Sequence, residues 1–292
     1  MFARYLFVYK VQILKERALI AQAIQNNKAQ NKKTGFVPTM GALHNGHLAL
    51  IDFAFTYCDC VVVSIFVNPT QFNNPDDLKK YPRTLAQDTA LLQPYGDTII
   101  VYVPDVTTVY GNITQSKSYN FGSLATAMEG RFRPGHFDGV GTVLNLLFRQ
   151  LMTDMAFFGE KDFQQLQVVK KLVQIEHLPI QIIGCPIHRQ KDGLATSSRN
   201  ARLTAHQLKI APFIYQVLKQ VQEDFNTKSA RLLKVWVAHQ FSMQADLELE
   251  YFEIANIKNL QPLSRKRKQQ KYRAFIAAFA GEVRLVDNIA LN

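Results

Sequence analysis

"VPTMGALHNGHLALI", from Val37 to Ile51, sets two histidines three residues apart around a glycine, between an apolar run and an amphipathic one. The overlapping stretch "TGFVPT" (Thr34 to Thr39) reads as a β-strand, and a helix is expected to begin near His47. Glycine at Gly41 lets the backbone turn off the strand, and at Gly46 it lets a bulky ligand approach. His47 then stands at a helix start, where free N–H groups and the helix dipole favour an anion. Phosphate contact is therefore the preferred reading, with two hydrogen-bonded structural histidines as the alternative. A metal chelate is set aside because no third ligand follows at a suggestive spacing.

Working outward, "CVVVSIFVNP" (Cys60 to Pro69), "TIIVYVP" (Thr98 to Pro104), "MAFFG" (Met155 to Gly159) and "IQIIGCP" (Ile180 to Pro186) are further strand-like runs. Helical periods lie between them, clearest from Phe163 to His177. Near-continuous apolar strands alternating with helices predict an α/β fold, with a parallel sheet covered on both faces. Such sheets bind ligands beyond the carboxyl ends of their strands. After about Arg189 the pattern becomes long helical stretches ("AHQLKIAPFIYQVLKQVQEDF", "SARLLKVWVAHQF") followed by strands ("LELEYFEI", "YRAFIAAFA", "EVRLVDNI"). That order predicts a smaller α+β domain, giving domains 1–187 and 188–292 joined by a hinge near "HRQKDG".

Hydrophobic residues at 47% and charged residues at 20% are a globular balance over 292 residues, not a disordered one. "MFARYLFVYK" is too short for a secretory signal, and no run approaches a membrane span. Cys58, Cys60 and Cys185 form no CxxC pair, so reduced thiols in a cytosolic protein and no structural zinc are expected. The net charge of +11 favours anionic partners. The basic run Ser264 to Arg273 reads as a solvated hairpin loop; no aromatic platform surrounds it, so nucleic acid is not the expected partner.

The remaining motifs sit where strands end. Asn68, Gln71 and Phe72 bring amides and an aromatic to one such end, suited to reading carboxylates and hydroxyls or simply to making a turn. Asp88 is read as an exposed helix acid, the alternative being water-mediated help to a magnesium ion. Glu129, Arg131, Arg133 and His136 are either an acid clamp or a surface charge network, with His136 capping or starting the next helix. Lys161 is a suitable cation for nucleotide phosphates, and Gln165, one turn on, faces the same crevice. Asp162 is expected to cap the helix or accept from a ribose. Ser197, Ser198 and Arg199 wrap a polyphosphate or cap a helix.

Together "PTMGALHNGH", "SIFVNPTQF", "DDLKKYPRT", "EGRFRPGHFDGV", "FFGEKDFQQL" and "DGLATSSRN" resemble the pantothenate synthetase (pantoate–β-alanine ligase) family of the HIGH-type nucleotidyl-transfer superfamily. The resemblance implies a Rossmann-like N-terminal domain, a smaller C-terminal lid, and a cytoplasmic homodimer. It implies condensation of (R)-pantoate with β-alanine to pantothenate through a pantoyl adenylate, with ATP as substrate, Mg²⁺ as cofactor, and AMP and pyrophosphate released. ATP would lie against Met40, Gly41, Ala42, Leu43, His44, Asn45, Gly46, His47, Gly159, Glu160, Lys161, Asp162, His188, Thr196, Ser197, Ser198 and Arg199. Gln71 and Gln165 would read pantoate, with β-alanine approaching near Gln71. His47, the second histidine of the signature, would be the proton donor, with His44 and Lys161 assisting. Thr196 and His188 depart from the family, which usually has leucine or methionine at the first position and commonly valine at the second.

Overall fold

A computed structural model describes residues 10–72 and 75–292; most of "MFARYLFVYK" and Asn73 and Asn74 of the turn segment lie outside the described residues. Six parallel strands form one sheet: β1 (Gln12–Leu14), β2 (Thr34–Thr39), β3 (Cys60–Ile65), β4 (Ile99–Tyr102), β5 (Met155–Gly159) and β6 (Gln181–Cys185). β1 is too short and mixed to have been read from its sequence alone. Three antiparallel strands form a second sheet, β7 (Glu248–Asn256), β8 (Tyr272–Ala280) and β9 (Val283–Ala290). The helices are α1 (Arg17–Ala29), α2 (Asn45–Phe55), α3 (Pro75–Lys80), α4 (Leu85–Leu92), α5 (Val106–Tyr110), α6 (Met128–Phe132), α7 (His136–Leu151), α8 (Phe163–Ile175), α9 (Ala205–Ile210), α10 (Phe213–Asp224) and α11 (Ala230–Ser242).

Strand alternation explains why β3 is apolar at every position but Ser64. Cys60 and Val62 join Phe36 in a core under α1, α7 and α8, whereas Val61 and Val63 join Val37 in a core under α2 and α4. Both faces are covered, so every side chain of the strand is buried. Each buried valine contributes about 1.5–3 kcal/mol relative to exposure. A third core runs from Leu194 to Leu291 and packs α10 and α11 on the antiparallel sheet, in which β8 is central. Ala255, Leu260 and Phe275 instead join the core under α7 and α8 and so lock the second sheet to the first.

The order of the parallel sheet is β1-β4-β3-β2-β5-β6. From β2 the chain proceeds outward to β3 and β4, and it then returns to place β5 on the other side of β2. The loops leaving β2 and β5 therefore diverge and open a crevice at the switch point. Two expectations are corrected here. The long helical stretch after Thr204 is broken into α9 and α10 at Pro212, which has no N–H for the ladder. The basic run is exposed from Ser264 to Gln269, but its last residue, Arg273, lies on β8 and is buried. Among the described residues no helix is long and apolar enough to cross a membrane.

Candidate active site

A cavity of about 580 Å³ opens at the switch point. Its first wall is the loop after β2. Gly41 and Ala42 both have left-handed backbone, with φ of 79° and 51°. That conformation is strained for alanine, and Asp88 holds it. The carboxylate accepts from the N–H of Ala42 (3.0 Å) and of Leu43 (2.7 Å), and from the Thr84 hydroxyl at 3.2 Å. Asp88 is only 1% exposed, which corrects its reading as an exposed acid and leaves no free face towards a magnesium ion. Its side chain ties α4 to the loop. Asp88→Ala strands two buried N–H groups, so the unfolding free energy should fall by about 2–4 kcal/mol, measured by urea titration. An unchanged urea midpoint would mean that the loop holds itself.

The two histidines lock one another. His44 Nδ1 accepts from the Gly46 N–H (3.1 Å), and His47 Nδ1 accepts from the His44 N–H (3.3 Å). With Nδ1 an acceptor in both, each neutral ring carries its proton on Nε2. The rings stack at 4.0 Å between centroids and 26° between planes. Burial, then the charges of Lys161 and His188, pull His44 down to about 4. Burial, His44 and Lys161 pull His47 down to about 3. The wall thus presents two neutral N–H donors beside an ammonium group, a grip for anions.

His136 is likewise drawn down to about 4, by burial and the Arg133 charge, and bonds Gln71 O through Nδ1 at 2.9 Å. All three folded values lie below the ordinary histidine value of about 6.5, so the native state binds fewer protons than the unfolded chain. Stability from these rings is complete above about pH 6.5 and is lost as pH falls towards about 4 for His44 and His136 and about 3 for His47. Imidazole NMR shifts should stay those of neutral rings down to about pH 5.5. A midpoint near 6.5 for any of the three would contradict this environment.

The second wall follows β5. Lys161, in a 3-10 turn over Glu160–Asp162, lines the cavity with Gly159 and Asp162. Asp162 makes no side-chain cap to α8, which corrects that expectation; its carboxylate accepts from Lys161 Nζ at 3.3 Å. Gln165 faces the same cavity from the next turn. The third wall is Thr196 to Arg199. Ser198 Oγ donates to Ala42 O at 3.2 Å, joining it to the first wall, and Ser197 caps a short 3-10 turn by accepting from the Arg199 N–H. Thr196 and His188 are hydrogen-bonded to each other at 2.8 Å, so the two departures satisfy one another.

Opposite lie the amides. Gln71 Nε2 contacts the Met40 sulfur at 3.0 Å, and Asn68 Nδ2 donates to Gln71 Oε1 (3.1 Å) and to Gly139 O (3.2 Å). A Cβ at Gly139 would sit 2.3 Å from Thr70 O, so only glycine lets α7 approach this turn. Asn68, 1% exposed and also bonded by Tyr110, caps the Pro69–Gln71 turn and holds the Gln71 amide, so it serves both of the roles that its sequence left open.

Not every candidate reaches the cavity surface. Gly41, Ala42 and Leu43 lie behind it, and Asn45 and Arg131 are exposed. Glu160 turns to Arg273, 2.7 Å away. Glu129 is no surface network. Burial opposes its charge, but Arg284, bonded to both its oxygens at 2.7 and 2.8 Å, holds the carboxyl below its ordinary range. Among the described residues no three His, Cys, Asp or Glu stand together to hold a metal.

A family model described as pantoate-beta-alanine ligase matches residues 12–290. A pantothenate synthetase of Christiangramia forsetii is 51% identical over 282 residues, covering 97% of this chain and 100% of that protein. One from Porphyromonas gingivalis is 41% identical over 96% of this chain and 99% of its own. Among solved structures, a Thermus thermophilus pantothenate synthetase superposes with a TM-score of 0.88 at 35% identity, covering 96% and 99% of the two chains. A Francisella tularensis pantoate-beta-alanine ligase, solved with beta-gamma ATP and beta-alanine, gives 0.78 at 36% identity, covering 96% and 98%.

Proposed function

The chain belongs to the pantoate–β-alanine ligase family and joins pantoate to β-alanine with ATP, and we propose that the switch-point cavity is where it does so. The observation that carries this reading is the convergence of two neutral Nε2–H donors, Lys161 and the Ser197–Arg199 loop on a cavity that the Gln71 and Gln165 amides also line. Cations and N–H donors suit a polyphosphate, and uncharged amides suit a hydroxy acid.

The pantoate carboxylate attacks the α-phosphorus of ATP, and the bond to the pyrophosphate oxygen breaks, giving pantoyl adenylate and pyrophosphate. The neutral amine of β-alanine then attacks the activated carbonyl. AMP leaves, the amine loses a proton, and pantothenate results. The first step brings two anions together, so its barrier is chiefly electrostatic. His44, His47, Lys161, Ser197, Ser198 and Arg199 spread the charge that builds on the phosphates. A ring held near a pKa of 3 acts as a hydrogen-bond donor through Nε2–H, and this refines the proton-donor role expected of His47. No protein nucleophile is needed, because positioning supplies several kcal/mol of the roughly 7–11 credited to orientation.

The phosphate walls are mainly N–H and O–H donors, so a magnesium ion would enter with the nucleotide, and Asp162 is the cavity carboxylate that would help to hold it. When bound, the ion neutralises phosphate charge. Residues 188–292 act as a lid domain over residues 1–187, and closure keeps water from the adenylate. Cytosolic residence suits the free, buried Cys58, Cys60 and Cys185. The homodimer is carried over from the family resemblance, and sedimentation velocity tests it. The decisive assay combines protein, ATP, Mg²⁺, pantoate and β-alanine and measures AMP. Release should require every component; release without β-alanine would mean that the adenylate passes to water instead of to the amine, and pyrophosphate without AMP would mean a nucleotidyl transfer that stops at the adenylate.

A further inference from the structure

The turn that carries Lys161 has no side-chain cap of its own, and two of its carbonyls are bonded from the other sheet. Asn288, on β9 and 1% exposed, donates from one amide nitrogen to two carbonyls of that turn, Glu160 O at 2.9 Å and Lys161 O at 2.7 Å. Its amide oxygen accepts from Arg273 on β8. Arg273 also pairs with the Glu160 carboxylate at 2.7 Å and lies over the Phe163 ring at 4.2 Å. Asn288 is held in turn: its N–H donates to Asp287 (2.7 Å) and its carbonyl accepts from Arg189 (3.2 Å). Arg189, beside the expected hinge, grips Asp287 through both oxygens at 2.6 and 2.9 Å.

We propose that Asn288 is a positioning residue for Lys161, so that docking of the second sheet sets the phosphate-gripping ammonium. This rests on the reading of Lys161 as a phosphate contact. Lysine carries its charge on a flexible four-carbon stem, and where the charge falls depends on where the backbone starts. A displacement of about 1 Å in a reacting geometry can cost on the order of a hundredfold in rate. Withdrawal of β9 would remove both donors from the turn, so closure of the C-terminal part and organisation of Lys161 are one event.

Pantoate-dependent exchange of labelled pyrophosphate into ATP reads the first step; amide formation from supplied pantoyl adenylate reads the second. Asn288→Ala should slow exchange at saturating ATP by at least about tenfold and leave amide formation within about threefold. In a Lys161→Ala background the same substitution should add less than about threefold, because the group it positions is gone. Equal losses in both steps would indicate general destabilisation and overturn the proposal. Losses that multiply in the double variant would overturn it too, since Asn288 would then act on substrate directly. Should Asn288→Ala not fold, Asn288→Ser keeps one donor and should still slow exchange selectively by about threefold or more; no selective loss overturns the proposal. Lys161→Ala alone separates the two readings. If it spares exchange, the phosphate role fails and takes the proposal with it; if it slows exchange while the Asn288 variants do not, only the positioning role fails.

Discussion

His47→Ala should lower turnover by about 10²–10³ with a much smaller change in the KM for pantoate. The Nε2–H of His47 faces a cavity walled by Lys161 and the Ser197–Arg199 loop, and its Nδ1 is fixed by the His44 N–H. The donor is therefore aimed before substrate arrives and costs no reorganisation as charge builds. Such a bond is stronger in the transition state than in the ground state, so its loss falls on kcat. The substitution also removes an acceptor for the His44 N–H, and a thermal melt separates that structural loss from the catalytic one. His47→Gln restores an N–H donor and should recover part of the rate. Near-normal turnover in His47→Ala would remove His47 from the mechanism.

Lys161→Ala should slow adenylate formation by about 10² or more while leaving amide formation from supplied pantoyl adenylate within about threefold. The first step develops charge on a leaving pyrophosphate, which the ammonium offsets. In the second the pyrophosphate has gone, and the nucleophile is a neutral amine. Lys161 also holds down the protonation of His44 and His47, so its loss should raise both imidazole values. Equal slowing of both half-reactions would contradict a phosphate role for Lys161.

Much of this was written locally. "CVVVSI" and "MAFFG" are strands because both faces are covered, and a strand buried on both faces needs no polar alternation. His44 stands at the start of α2 because glycines let the chain turn there. Asp88 reads as an exposed helix acid and Asp162 as a helix cap for one reason. A short carboxylate in the first turn of a helix looks the same in sequence whether it faces solvent, caps its own helix or reaches elsewhere. Asp88 reaches back to Ala42 and Leu43, and Asp162 reaches to Lys161. Arg273 was hidden similarly: it ends a basic run in the sequence, yet strand pairing carries it inward to Glu160.

The sequence by itself determined the α/β class, the strand-end loops and the residue types at them, because periodicity and turn chemistry are properties of neighbours along the chain. Only the tertiary structure decided which loops face each other. Placing β5 beside β2 opens the crevice between them, and packing the β8–β9 hairpin against the first sheet lays Asn288 on the Lys161 turn. Those decisions rest on contacts across more than a hundred residues, as between Asn288 and Lys161 or Ser198 and Ala42. No local pattern encodes them, because each bond exists only after burial has brought its two ends together.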